Sequence, residues 1–563
     1  MEDGSPLQSL PMLRTIPRHL LLILLVTAGV YATSIANGFL NLDDTLLVTE
    51  NSHVQNASFS SVAYVFTHFD PELYIPVTLL SYQLETWILG SSAWHFHIVE
   101  LLLHLIAVSL VFAITMRLSH RTAVALITAT LFAIHPLNAE AVLWIAARKD
   151  LLSSVFALGA LLAYLRAREH ERFPVLACTL FLLALGSKVS VVALPIALFF
   201  YEYGQRTLRS SWGRLLVFVI PAFVFGIVAI LGKEVVESEF SVGAFAIMAF
   251  RSMFFYLQLI LLPESQAAAH HLLPHDALRS PIVPLAIAGI IGLGVIAWKT
   301  RRSLPLMTAG ITFFFIMIAP SLLHYTQGNG MMQLGAERYA YLASSGIFLA
   351  IATSMKYLSR AVSAHVRLIL VTTGIIILGI LGYLTVLRSF VFADSVIFNV
   401  DILQKHPHDA RAWYGLGQAL EKVKRPQEAE TAYGNALTYE PAFQESAIAL
   451  GILLTKEGRT DEGISMLRHA VEIKPDGFKG HFNLGVALQN LKRYPEAEQA
   501  YRSSIERFSE FPLAHENLAV VLGLQGKKAE AIAEYEILAT LDPDFQLHWE
   551  SLKAESSGKK TGF

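Results

Sequence analysis

The chain has 563 residues, of which 54% are hydrophobic and 16% charged, with a formal net charge of −2. It is too long for one compact domain and too apolar for two ordinary soluble ones, so composition excludes a plain soluble protein and points to the membrane class. The charge balance excludes a basic nucleic-acid surface, and the single cysteine, Cys178, excludes an intrachain disulfide; lying in an apolar run, it reads as a small buried side chain.

In chain order, the first apolar run, Leu20 to Ala36, lacks a small-residue cleavage site before the polar stretch beyond it. It is read as a retained helix with Arg14 and Arg18 on the cytoplasmic side. The loop 38–96 that follows contains no Lys or Arg but carries Asp43, Asp44, Glu50, Asp70, Glu72 and Glu85, the main acidic surface on the outer side. With the run near residue 19, further apolar runs beginning near 97, 121, 151, 173, 190, 214, 282, 303, 339 and 366 predict about eleven spans, given that a span needs about 20 apolar residues. Arg117/Arg121, Arg166/Arg168/Arg172, Arg206/Arg209/Arg214, Lys299/Arg301/Arg302 and Lys356/Arg360/Arg367 then all fall inside. This holds if the segment 245–262 does not cross and instead lies along the interface or re-enters. The odd count brings the chain out after Leu387.

The cations that break this pattern are the informative ones, because a charge at the outer edge of a bilayer is costly. They are Arg148, Lys149, Lys188, Lys233, Arg251, Arg279 and Arg338. In the stretch from His135 to Asp150, helical spacing predicts Glu140, Trp144 and Arg148 on roughly one face. Leu185-Gly186-Ser187-Lys188 ends one short helix before another begins, and Ala336-Glu337-Arg338-Tyr339-Ala340-Tyr341 opens the tenth. Cations beside an acidic loop suit transfer of a group from a lipid phosphate: a carboxylate takes the proton of an attacking hydroxyl, and Arg or Lys stabilises the leaving phosphate. The competing reading is that Arg148, Lys188 and Arg338 bind lipid head groups or pair with Glu140, Asp150 and Glu337. His270, His271, His275 and Asp276 invite a metal reading, but their spacing fits no tetrahedral site and an interfacial loop is preferred. Asn56-Ala57-Ser58 is a glycosylation acceptor pattern.

Beyond residue 394 the sequence repeats every 34 residues. Leu416-Gly417, Leu450-Gly451, Leu484-Gly485 and Leu518-Ala519 keep that step, as do Pro407, Pro441, Pro475 and Pro543, with Ser509 standing where one proline is missing. This is the signature of about four tetratricopeptide repeats, each a pair of amphipathic helices such as Trp413 to Val423 with Pro426 to Thr438. Stacking is expected to bury Ala429, Tyr433, Ala436, Ala497, Tyr501 and Tyr535, leaving a groove for a peptide or partner protein, a spacer, or an oligomerisation surface. The domain plan is a membrane bundle 1–388, a linker helix 389–406, repeats 407–555 and a tail 556–563: an all-α polytopic bundle followed by an α-solenoid.

Asn41-Leu42-Asp43-Asp44 after the first helix, His97 to His104 opening the second, HPLNAEAVLWIAARKDLLSS, LLALGSK, AERYAYLASSG and the trailing repeats together resemble the transmembrane and tetratricopeptide-repeat-containing O-mannosyltransferases. These belong to the GT-C superfamily of polytopic glycosyltransferases that use lipid phosphosugars. The resemblance covers essentially the whole chain. It implies transfer of a single mannose-like hexose from a polyprenyl-phosphate sugar to a protein hydroxyl on the extracytoplasmic side, the repeats binding the protein or peptide acceptor. By position it makes Asp43 the base, with Asp44 orienting it or the acceptor. Arg148, Lys188 and Arg338 become contacts to the donor phosphate, and His97, His135, Glu140, Glu337 and Tyr339 shape the site. Some relatives use a divalent cation at the acidic pair and others do not, so a metal on Asp43 and Asp44 is left open. The chain departs from the family where Tyr74-Ile75-Pro76-Val77 replaces Tyr-Arg-Pro-Leu, where Glu100 replaces an Asn, and where Val189 replaces a Glu.

The expected partners are thus membrane lipid, a lipid-linked sugar and a protein acceptor, with no nucleic acid. The setting is a bacterial inner membrane facing the periplasm, or the endoplasmic reticulum lumen in a eukaryote. A lipid-linked glycan polymerase or ligase is the second reading, and a non-catalytic repeat scaffold for envelope assembly is the third.

Overall fold

The computed structural model describes residues 17–56, 58–69, 73–232, 242–263, 271–272, 280–323, 332–333, 335–542, 545–546 and 549. Of the groups singled out above, Arg14, Asp70, Glu72, Lys233, His270, His275, Asp276, Arg279 and Pro543 lie outside these residues. The chain divides into two compact units, 1–401 and 402–563.

Unit 1 is helical. After α1 (Arg18–Tyr31), the outer loop carries three helices, α2 (Ser52–Gln55), α3 (Phe59–Thr67) and α4 (Pro76–Leu89). The bundle continues with α5 (Ala93–Ser119), α6 (Thr122–Ile134), α7 (Ala139–Leu143), α8 (Arg148–Glu169), α9 (Val175–Ser187), α10 (Leu194–Gly204) and α11 (Leu208–Leu231). It closes with α12 (Val242–Leu261), α13 (Ile282–Thr300), α14 (Pro305–Ile318), α15 (Tyr341–Ala361) and α16 (Ala364–Val391). Residues 271–272 and 332–333 form a single antiparallel strand pair. Among the described residues, eight helices are long and apolar enough to cross a membrane, or nine if the bent pair α6–α7 is one span. The remaining predicted runs are present as helices: α9 and the segment Val189–Gly204 are shorter, and α15, 21 residues long, is not among the eight.

Two breaks matter because a membrane offers no water to satisfy freed backbone groups. The α6–α7 pair bends by 55° at His135-Pro136, where proline forces its predecessor into extended geometry. The helix then breaks again at Trp144, which is extended, so Glu140 and Arg148 lie on different helices and the predicted single face does not form. The freed groups find partners in the outer loop: Ala146 N donates to Asp44 Oδ1 at 2.8 Å and Tyr82 Oη to the Ile145 carbonyl at 2.6 Å. The second break is at Lys188, also extended, and there Thr78 Oγ1 caps the Ser187 carbonyl at 3.0 Å. Gly186 is required beside it, since a Cβ would sit 2.8 Å from Val77 Cγ2.

Contacts fix which helix ends lie together. Arg117 with Glu169 and Arg168 with Glu202 gather one end. The opposite end gathers Asp43, Glu140, Lys149, Asp150, Lys188 and Arg338. The α11 terminus belongs to this second end, because Gly232 abuts the Phe69 ring of the outer loop. The chain is therefore at the same end at Gly232 and at Arg338, and among the described residues an even number of the three helices between them runs from end to end. The α13–α14 hairpin, closed by Thr308 Oγ1 donating to the Ala297 carbonyl at 2.9 Å, supplies such a pair. The helix α12, expected to lie along the interface, is long and apolar enough to span. Its C-terminal part is pinned at the second end, where His135 Nε2 donates to the Ile260 carbonyl at 3.0 Å. The last span, α16, ends there too, since Asn37 Nδ2 donates to the Ser389 carbonyl at 3.1 Å.

Unit 2 begins within α17 (Ser395–Lys405), which is shorter than the predicted linker 389–406; α16 runs on to Val391, and the divide between the units falls after Asp401 and not at 388. Four helix pairs follow: α18 (Ala410–Lys422) with α19 (Pro426–Tyr439), α20 (Gln444–Lys456) with α21 (Thr460–Ile473), α22 (Phe478–Asn490) with α23 (Tyr494–Arg507), and α24 (Pro512–Leu524) with α25 (Lys528–Leu541). The Leu-Gly step has a steric cause: a Cβ on Gly417 would lie 2.4 Å from the Tyr433 ring, and one on Gly485 2.7 Å from Tyr501. Both tyrosines are fully buried and donate to a side chain 12 residues earlier, Tyr433 to Glu421 and Tyr501 to Gln489, each at 2.7 Å. Ala429, Ala436 and Ala497 are buried as expected. In the fourth repeat Ala519 stands where the glycine would be, and Tyr535 is only half-buried, stacked with Phe545.

Candidate functional site

The site end of the bundle is assembled by the two helix breaks and the outer loop. Asp43 and Asp44 are neighbours with opposite environments. Asp44 is buried, and both its oxygens accept backbone donors, Leu40 N at 2.7 Å and Ala146 N at 2.8 Å. It pins the loop to the 145–147 turn. Asp43 points outward, its side chain 43% exposed and its Oδ2 3.2 Å from Lys149 Nζ. Burial pushes the Asp44 carboxyl up to about 7. Burial acts the same way on Asp43, but Lys149, Arg338 and Lys188 outweigh it and hold Asp43 below the ordinary carboxylate value. Two adjacent carboxylates are thus driven apart, one kept ionised and accessible and the other kept structural.

Lys188 and Arg338 converge on the next turn of the site. Lys188 Nζ is 2.5 Å from Asp150 Oδ1 and 4.3 Å from the centre of the Tyr339 ring. Arg338 pairs with Glu140 through its side chain, and its backbone N donates to the same carboxylate at 3.0 Å. Its guanidinium stacks between Trp144 at 4.6 Å and Tyr339 at 5.0 Å, and its Nε stands 3.9 Å from Asp150 Oδ2. Below them a small cavity is lined by Asp150, Ser153, Ser154, Ser190, Arg338 and Tyr339. The pairing with Glu140 and Asp150 set out as the competing reading is therefore present. Glu337 pairs with a different cation, Arg388, at 3.4 Å.

Arg148 is not part of this cluster. Its side chain is fully buried between Glu85 and Glu100, each 2.6 Å away, with the Tyr82 ring 4.6 Å from its guanidinium carbon. Glu100, where the family pattern has an asparagine, supplies one of the two charges that hold it. His135 is engaged by the Ile260 carbonyl and the Leu137 N–H, and His97 is buried. Arg388 was not singled out in the sequence, and Lys149, Trp144 and Asp150 were noted there without a role in the transfer site. Lys149 and Asp150 were adjacent to an assigned position, but helical spacing from Glu140 favoured Arg148, and the unforeseen break at Trp144 shifts that phase.

In the acidic pair, each Asp44 oxygen accepts a backbone amide and Asp43 Oδ2 is engaged by Lys149. Among the described residues, no group of three or more His, Cys, Asp or Glu is placed to hold a metal ion.

Residues 74–230 match the family model of dolichyl-phosphate-mannose-protein mannosyltransferases, and residues 401–447, 448–510 and 482–544 match a tetratricopeptide-repeat model. The chain is similar to Protein O-mannosyl-transferase F38B6.6 of Caenorhabditis elegans, 25% identical, with 66% of this chain and 54% of that protein covered. It is similar to Protein O-mannosyl-transferase TMTC3 of Homo sapiens, 22% identical, with 85% and 58% covered, and to its Mus musculus counterpart, 22% identical, with 95% and 65% covered. The chain is a homologue of these protein O-mannosyl-transferases. It spans between about half and two thirds of the length of these relatives. The mannosyltransferase match takes in Glu85, Glu100, Glu140, Arg148, Lys149, Asp150 and Lys188, whereas Asp43 and Arg338 reach the site from outside it. Apolar helices together with this match make the chain a membrane protein.

Proposed function

We propose that the chain transfers a single mannose-like hexose from a polyprenyl-phosphate donor to a hydroxyl of a protein acceptor. The observation that carries this reading is one exposed carboxylate, Asp43, paired with Lys149 and kept ionised by the charges of Lys149, Arg338 and Lys188, in a homologue of protein O-mannosyl-transferases. Asp43 takes the proton of the acceptor hydroxyl as that oxygen bonds to the sugar's anomeric carbon. The bond from that carbon to the phosphate oxygen breaks, with inversion, and Lys188 and Arg338 stabilise the charge that develops on the phosphate. Lys149 orients Asp43 and keeps it deprotonated. Arg148, enclosed by Glu85 and Glu100, frames the wall behind the base.

The sidedness follows the basic connections. With Arg117, Arg168 and Arg301 at the cytoplasmic end, the end bearing Asp43 and Arg338 is extracytoplasmic. Because α16 ends beside Asn37, the repeats that follow enter that compartment, where they bind the acceptor. This reading keeps α12 from crossing.

The test is transfer from polyprenyl-phosphate mannose to an acceptor protein by the full chain in lipid nanodiscs. Asp43→Asn is expected to reduce the rate by about 10²–10⁴-fold with the melting temperature unchanged. Full transfer by this variant would remove Asp43 as the base. Product mass separates one added hexose from a polymer ladder.

A further inference from the structure

We infer that Arg388 is a positioning residue for the donor site, and that the segment 388–401 sets the distance between the Asp43 loop and the Arg338 turn. The inference rests on the reading of the site given above. Arg388 lies in the last turn of α16 and is 5% exposed. Its Nη2 is 3.4 Å from Glu337 Oε1 and its Nη1 3.2 Å from Asp401 Oδ2. The Phe392 ring is 5.3 Å from its guanidinium carbon.

Glu337 is fully buried and adjoins Arg338 in one short 3₁₀ turn, Glu337–Ala340. Anchoring the Glu337 carboxylate therefore fixes the backbone from which Arg338 reaches Glu140 and Trp144. The same segment grips the other flank of the site. Gly38 N donates to the Ala393 carbonyl at 2.9 Å, and Asn41 N donates to Ser395 Oγ at 2.6 Å, two residues before Asp43. The base and the phosphate-binding arginine come from opposite ends of the unit's sequence. These contacts join the two flanks through one segment, and Asp401 extends the link into α17, the helix that leads to the repeats.

Replacing the whole ion pair by apolar side chains would leave cohesion much as it is, so the charge serves geometry more than cohesion, whereas removing Arg388 alone leaves Glu337 buried without this cation. A misplacement of about 1 Å at a site of this kind costs about 10²-fold in rate.

The experiment compares the full chain in nanodiscs with Arg388→Met, Arg388→Lys and Asp401→Asn. The readouts are the Kd for polyprenyl phosphate, the donor KM and kcat for mannose transfer, and the melting temperature. Arg388→Met is expected to weaken polyprenyl-phosphate binding and raise donor KM by about tenfold or more, with Arg388→Lys recovering part of the loss. Asp401→Asn, which leaves the Glu337 pair in place, gives a smaller change in the same direction and serves as the probe if Arg388→Met does not fold. Unchanged Kd and KM in both Arg388→Met and Asp401→Asn overturn the inference, as does a fall in kcat that only follows loss of folded protein. A wild type that binds polyprenyl phosphate in an Arg388-dependent way but transfers no sugar leaves the inference standing and overturns the proposed function. A wild type that binds no polyprenyl phosphate overturns both.

Discussion

The two units use charge in opposite ways. In the repeats a recurring set of ion pairs is local and wet: Arg425 with Glu428, Arg459 with Glu462 and Arg493 with Glu496 stand at i,i+3, with side chains roughly 40–60% exposed, and other pairs such as Arg459 with Glu430 link neighbouring repeats. At the site end of the bundle the pairs are distant in sequence and mostly dry. Arg148 meets Glu85 and Glu100, and Arg338 meets Glu140, nearly 200 residues away. Exposed pairs contribute little, because water screens them. Buried pairs are no better for net stability than apolar packing would be, but they are costly to break, because the remaining charge is left without a partner. The repeats therefore tolerate charge changes, whereas the bundle converts each one into a loss of fold or of site geometry.

The sharpest way to break this contrast is Arg148→Met, which leaves Glu85 and Glu100 buried without a cation. We expect a loss of about 3–5 kcal/mol, read as a fall in the melting temperature, and recovery of much of it when Glu85→Gln and Glu100→Gln are added. If the single change is silent, the enclosure of Arg148 is not a structural frame. The repeats have a steric counterpart: Gly485→Ala places a methyl 2.7 Å from the Tyr501 ring. Overpacking of this sort costs about 1–3 kcal/mol, measurable by denaturation of the full chain.

A smaller effect sharpens the site itself. Lys149 is one of the charges holding Asp43 below its ordinary carboxylate value. Because a lowered pKa keeps the base ionised as pH falls, the acid limb of transfer in the wild type lies below the range of a free aspartate. Lys149→Met removes that support and moves the limb to higher pH, leaving the plateau rate less affected. A limb that does not move would show that Lys149 does not tune Asp43. The smallest effect belongs to the repeats, where Arg493→Gln, breaking an exposed pair, leaves the melting temperature unchanged.

Legibility followed the range of the interaction. The repeat register could be read because Gly417 and Tyr433, or Gly485 and Tyr501, meet within one 34-residue unit. The helical bundle could be read from apolar runs, and the break before Lys188 from its Gly-Ser punctuation. The role of Arg148 could not. Its expected face assumed an unbroken helix through Trp144, and its true partners, Glu85 and Glu100, come from the outer loop and α5.

The sequence by itself determined that this is a membrane protein with a repeat array, and which outer-end charges demanded explanation. Periodicity and hydropathy are properties of neighbouring residues, and the motif order tied the chain to its relatives. The tertiary structure decided which carboxylate faces which cation: Asp43 open beside Lys149 with Asp44 closed, and Lys188 and Arg338 together with Arg148 apart. The physical reason is that a buried charge is stabilised by whichever opposite charge the packing brings within about 4 Å, and in this fold that partner is tens to hundreds of residues away along the chain.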